Sequence, residues 1–184
     1  YEVPPTQAVK LGTGHFVADF GKVYSGMPSI TFQDGTPGQS VRIKVDYRPR
    51  SDGALEGFAQ STRMDYEYLL RGGVETFRPY WYLGFRYVEV DNAPPSFDGS
   101  MIRLIVRHNR VDPGVSSFEC SNSTLNRIWD LVKRSIMLGS QEQFVDTPTR
   151  EQGQFTYDAY QISVGAMKCY RERLLTRQGL REFA

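Results

Sequence analysis

SVRIKVDYRP, residues 40–49, alternates Val41, Ile43, Val45 and Tyr47 with Arg42, Lys44, Asp46 and Arg48. A repeat of two places successive side chains on opposite faces of an extended chain, so this segment is a strand with one apolar and one polar face. Turn-forming clusters bound it on both sides, DGTPGQ before and RSDGALEG after. Working outward, GHFVADFGKVYSGMPSITF predicts one long bent strand or two short ones, with Gly21 and Gly26 as the breaks. MDYEYLLRG, ETFRPYWYLGFRYVEVDN and GSMIRLIVRHNRV extend the series, and APPSFDG reads as a loop. Several strands at regular spacing, with no long helical window, predict an antiparallel β-sandwich.

Beyond DPGVSS the period changes. In SNSTLNRIWDLVKRSIML the apolar residues Leu125, Ile128, Trp129, Val132, Ile136 and Leu138 recur at helical spacing. Ser121, Asn122 and Ser123 are all suitable N-caps, and Gly139 is a natural stop. Asn122 also opens a glycosylation sequon, but helix capping accounts for it more simply. A second helix is expected from about Arg150 to Leu175, with Thr149 as cap and Gln152 at N3 completing a capping box. The closing TRQGLREFA starts a further element. Two helices and a stub bury too little to close a helical core. The expectation is therefore a β domain over residues 1–115 followed by an incomplete helical domain over residues 116–184. A two-helix appendage packed on the sheet is the alternative.

Composition narrows the function. The chain has 184 residues, 40% apolar and 23% charged, with net charge +1 from 22 basic and 21 acidic side chains. This is a folding composition, and its balance offers no bulk attraction to nucleic acid or an anionic membrane. No apolar run is long enough to span a bilayer, and no leader peptide is visible. Cys120 and Cys169 do not make a disulfide framework and are expected to be buried thiols. His15 and His108 lack companions at ligand spacing, so no metal site and no cofactor are expected.

The chemically suggestive stretch is FVDTPTREQGQFTYDAYQ, residues 144–161, where Asp146, Glu151, Asp158 and Arg150 crowd among aromatics. If the second helix starts at Arg150, then Glu151, Phe155, Asp158 and Ile162 share one face, with Asp146 on the incoming segment. An acid at N2 is also what the helix dipole favours, so a solvated helix start explains part of the pattern. That same dipole would stabilise Glu151 as an anion, whereas a general acid must hold its proton until it is needed. Carboxylates and an arginine beside aromatic faces suit sugar hydroxyls and ring faces.

DTPTREQGQFTYDA, residues 146–159, resembles the signature of the bacterial α-L-rhamnosidases, glycoside hydrolase family 78, which runs roughly D-x-P-x-R-E, an aromatic, then G-D-A. Other phrases are similar in the same order: HFVADFGKVYSG and ETFRPYWYLGFRY to the family's β-sandwich, GFRYVEVDN to the strand before its catalytic domain, and SSFECSNSTLNRIWDLVKRSI to its linker and first helix. The resemblance implies β-sandwich domains followed by an (α/α)6 barrel, here truncated, that hydrolyses terminal α-L-rhamnose with inversion. Residue by residue it implies Glu151 as general acid, and Asp146, Arg150, Phe155 and Asp158 as residues that hold the sugar. The general base would come from the remainder of the barrel. Two positions depart from the pattern: Thr147 stands where Cys is frequent, and Tyr157 where Gly is frequent. The implied partner is a rhamnose-containing glycoside, and the compartment, cytoplasmic or secreted, stays open. Two other readings remain: a carbohydrate-binding or structural sandwich using Tyr80, Trp81, Tyr82, Phe85 and Tyr87, or a six-hairpin glycosidase for another sugar. Burial in the sandwich core is the simpler role for those five aromatics.

Overall fold

The computed structural model describes residues 1–184 and divides into two compact units, Tyr1–Arg107 and His108–Ala184. The first contains β1 (Glu2–Val3), β2 (Gln7–Gly12), β3 (His15–Gly35), β4 (Ser40–Asp46), β5 (Phe58–Ala59), β6 (Thr62–Arg63), β7 (Asp65–Leu69), β8 (Gly73–Phe77), β9 (Leu83–Asp91) and β10 (Ile102–Val106). All pairings are antiparallel. The second contains α1 (Ser123–Gly139), α2 (Thr156–Tyr170) and α3 (Leu174–Glu182). A β unit followed by helices is the predicted fold class.

The long strand β3 organises the first unit. Its first part pairs with β2 and β9, and its last part pairs with β10 and β8, so this one strand joins both groups into a single eight-stranded sheet. The strand is continuous. Gly21, at φ 76°, lies where the register with β9 shifts between Asp19 and Tyr24. Gly26 is not a break. It pairs in register with both Leu83 and Val106, and a Cβ there would stand 2.1 Å from the Ile105 carbonyl oxygen. Only a residue without a side chain lets β3 and β10 approach this closely.

Val41, Ile43 and Val45 of β4 are fully buried, each stabilising the fold by about 1.5–3 kcal/mol. They meet Phe32 of β3, Val88 and Val90 of β9 and Leu104 of β10 in one core. In that core the Phe32 and Tyr68 rings stack at 6.0 Å, and Tyr68 meets Phe77 at 5.2 Å. The alternate face of β4 is not uniformly wet, because residues 47–57 fold back against it. Lys44 Nζ donates to the Leu55 carbonyl at 2.9 Å and pairs with buried Glu89 at 3.0 Å. Glu89 also accepts from the Leu55 amide, and Asp46 accepts from Tyr47 and Gly57. These hydrogen bonds satisfy carboxylates that would be costly to bury alone.

In the second unit Asn122 caps α1. Its Oδ1 accepts from the amides of Thr124 at 2.9 Å and Leu125 at 3.4 Å. Phe144, Ala159, Ala166 and Leu175 form a small core with Ile136 and Ile162 against it. Much of the α1 stripe stays exposed, including Leu125, Ile128 and Val132. Both cysteines are free; Cys169 is buried, and Cys120 is partly exposed rather than buried. No helix is long and apolar enough to cross a membrane.

Candidate active site

The segment between α1 and α2 departs from expectation. α2 starts at Thr156, not Arg150, and ends at Tyr170, where Arg171 turns left-handed at φ 52°. Thr149 is buried and does not cap α2, and no side chain caps Phe155 at the helix entry. Local hydrogen bonds explain the delay. The Arg150 amide donates to Thr147 Oγ1 at 3.3 Å, and the Gly153 amide donates to Asp146 Oδ1 at 2.9 Å. The Asp146 amide returns a bond to the Gly153 carbonyl at 3.1 Å. Gln152 sits at φ 52°, a conformation an α-helix excludes. Short polar side chains here offer the backbone an alternative to helix, and it takes that alternative.

The result is a closed loop from Asp146 to Gly153, clamped at its ends and carrying Arg150 and Glu151 at its outer part. Further bonds tie it down: Gln152 Nε2 donates to the Pro148 carbonyl at 2.9 Å, and Gln143 Nε2 to the Gln152 carbonyl at 3.3 Å. Arg150 Nε lies 3.1 Å from Glu151 Oε1, both side chains about half exposed. Glu151 therefore lies outside the helix and does not share a helical face with Asp158 and Ile162. The acid in the first turn of α2 is Asp158, and the helix dipole acts on it instead. Phe155 is half exposed, and its ring lies against Gly153, where a Cβ would stand 2.8 Å from it.

Neighbouring α3 braces this loop. Gln154 Nε2 donates to Glu182 Oε2 at 2.6 Å, and Gln154 Oε1 accepts from the Phe144 amide at 3.4 Å. Hydrogen bonds from Gln178 and Gln154 hold the Glu182 carboxyl below its usual range. Glu172 in turn caps α3 through the amides of Leu175 and Thr176. No group of three or more His, Cys, Asp or Glu side chains is placed to hold a metal ion.

The structure thus joins Arg150 to Glu151 and Asp146 to Gly153. It gives Asp146 a backbone partner that spacing did not suggest. Thr147, Gln152 and Gly153 are loop-forming residues missed in the sequence reading. The adjacent Gln-Gly pair and the Thr-Pro pair were the available signals, since both favour turns over helix.

Two family models match the chain. Residues 9–108 match the bacterial alpha-L-rhamnosidase concanavalin-like domain, and residues 113–184 match the bacterial alpha-L-rhamnosidase 6 hairpin glycosidase domain. An alpha-L-rhamnosidase of Formosa agariphila is 24% identical over 196 residues, covering 95% of this chain and 20% of that protein. The native α-L-rhamnosidase of Aspergillus terreus superposes with a TM-score of 0.77 at 26% identity, over 98% of this chain and 21% of that one. The Streptomyces avermitilis α-L-rhamnosidase, solved with L-rhamnose, superposes with a TM-score of 0.69 at 26% identity, over 83% of this chain and 15% of that one. The chain spans about a fifth of the length of the curated relative it matches.

Proposed function

Because this chain belongs to the bacterial α-L-rhamnosidase family, glycoside hydrolase family 78, we propose that it is part of a glycosidase that removes terminal α-L-rhamnose with inversion. In this reading residues 1–115 are an accessory sandwich and residues 116–184 the first part of the six-hairpin catalytic domain. Glu151 is the general acid. The base is not among these residues.

The observation that carries this reading is the clamped loop that presents the Glu151 carboxylate, half exposed, beside the Arg150 guanidinium. An inverting glycosidase uses one carboxyl group to protonate the departing oxygen. A second, about 6.5–9.5 Å away, activates a water on the opposite face of the ring. Glu151 delivers its proton to the glycosidic oxygen as the bond to the sugar breaks and is left as an anion. Asp158, in the first turn of α2, accepts hydrogen bonds from sugar hydroxyls, and Phe155 takes the apolar face of the ring. Asp146 orders the loop through Gly153 and has its second carboxylate oxygen for the sugar.

The test is Glu151→Gln in the full-length polypeptide. Glutamine keeps the shape and cannot donate the proton. Hydrolysis of natural rhamnosides, whose leaving groups need protonation, should fall by about 10²–10⁴-fold, while aryl rhamnosides with activated leaving groups lose far less. Equal losses on both substrate types, or near-normal hydrolysis of natural rhamnosides, would reject Glu151 as the acid.

A further inference from the structure

Four of the five aromatics of YWYLGFRY divide sharply, and the fifth, Tyr87, is half-buried. Tyr82 and Phe85 are buried at 1% and 0% exposure, whereas Tyr80 is fully exposed at 104% and Trp81 is 58% exposed. Isolated exposed aromatics are ordinary. These two are adjacent, and they border a cleft of 660 Å³ formed with Tyr66, Tyr68, Arg71 and Arg78. Its size lies in the range of small-ligand clefts.

The polar groups around the cleft are already held in place. Tyr68 Oη donates to Glu75 Oε2 at 2.6 Å, and Arg71 Nε donates to the same oxygen at 3.2 Å. Arg78 Nε donates to Ser29 Oγ at 3.0 Å, and its Nη2 pairs with Glu2 at 3.1 Å. Burial pushes the Glu75 carboxyl up, but hydrogen bonds from Tyr68, Arg71 and Gly72 outweigh it and keep the group anionic. Trp81 is backed by Tyr82, ring centroids 5.6 Å apart and nearly parallel. The Trp81 face and the guanidinium donors are therefore presented without needing to be ordered by a ligand, which lowers the cost of binding, whereas the fully exposed Tyr80 is ordered by the ligand itself.

We propose that this cleft on the sandwich unit is a second, non-catalytic binding site for a neutral oligosaccharide. Pyranose rings set their C–H faces on Tyr80 and Trp81, while hydroxyls accept from Arg71 and Arg78. The ligand is neutral because each arginine already has a carboxylate partner, Glu75 or Glu2, and Glu67 adds another negative charge at the cleft. No uncompensated positive field remains to favour an anion. A protein segment would use the same residue types. Trp81, with Tyr66 and Tyr68, borders the concavity, which suits a ligand that enters, and Tyr80 stands fully exposed at its rim.

The experiment uses the full-length polypeptide with Glu151→Gln, so that the glycan is not consumed, and titrates it calorimetrically with rutinose (α-L-rhamnosyl-1,6-glucose). Two binding events are expected. Tyr80→Ala in that background should weaken the non-catalytic event about fivefold or more, and Trp81→Ala should remove it. Tyr80 buries nothing, so its loss cannot be ascribed to unfolding. With Glu151 restored, Tyr80→Ala should leave turnover of 4-nitrophenyl α-L-rhamnoside unchanged. Absence of that turnover in the parent would reject the glycosidase assignment, and the titration would still judge the cleft. A parent with no binding event that Tyr80→Ala weakens and Trp81→Ala removes would overturn the proposal, whatever the number of events. So would a Trp81 shielded from acrylamide quenching in the unliganded polypeptide, since another segment would then fill the cleft. Binding that weakens strongly with added salt would overturn the neutral-ligand assignment.

Discussion

Asp146→Ala removes the carboxylate that closes the loop carrying Arg150 and Glu151. The bond lost runs from the Gly153 amide to Asp146 Oδ1 at 2.9 Å, in a partly buried setting. A hydrogen bond to a charged group contributes about 1.5–3 kcal/mol, and partial exposure places this one toward the lower end. The backbone bond from the Asp146 amide to the Gly153 carbonyl, at 3.1 Å, survives the substitution. It keeps the loop from opening fully. A loss of about 1.5 kcal/mol corresponds to roughly a tenfold rise in the open population, and so to roughly tenfold faster hydrogen exchange at the Gly153 amide. Exchange measured residue by residue on the full-length polypeptide gives this directly. Asp146→Asn separates loop closure from sugar contact. It retains an oxygen for the Gly153 amide, so exchange should rise less than in the alanine variant, while any charged contact to the sugar is lost. Unchanged exchange at Gly153 in Asp146→Ala would refute the clamp.

Two further outcomes test the sandwich. Gly26→Ala places a Cβ 2.1 Å from the Ile105 carbonyl oxygen, a backbone atom that cannot yield without breaking the β3–β10 ladder. It should cost about 3 kcal/mol in urea unfolding, and a loss below about 0.5 kcal/mol would show that the strands separate freely. Paired hydrogen bonds from Arg86, at 2.7 and 2.8 Å, hold the Asp19 carboxyl below its usual range, against the opposing effect of its burial. A carboxyl group lowered on folding contributes stability that is complete above its unfolded value of about 3.9 and is lost as pH falls through its folded value. Unfolding midpoints measured from pH 5 downward should therefore fall less steeply in Arg86→Gln than in the parent; parallel profiles would dismiss this pair as a source of acid lability.

The strand and helix periods were legible because they depend on nearest neighbours. Val41, Ile43 and Val45 alternate, and an extended chain can bury them in only one way. Asn122 stands where a helix must satisfy its first amides, and it does so with its own side chain. The acids and arginine of residues 146–158 were legible as chemistry for the same reason: their types are plain even when their geometry is not.

Geometry was the part that required the folded chain. A capping box at Thr149 was locally sound, but Asp146 and Thr147 reached the Gly153 and Arg150 amides first, and α2 began six residues later. Lys44 lies on the strand face that alternation marks as wet, yet its charge is covered because residues 47–57 bring the Leu55 carbonyl to it. Tyr80 and Tyr82 are the same residue two positions apart, one fully exposed and one buried. No local rule separates them, because burial is set by which strands close over a side chain. Composition and period assigned the elements; competing hydrogen bonds and long-range packing set where the helix starts, which carboxylates pair, and which aromatic faces stay open.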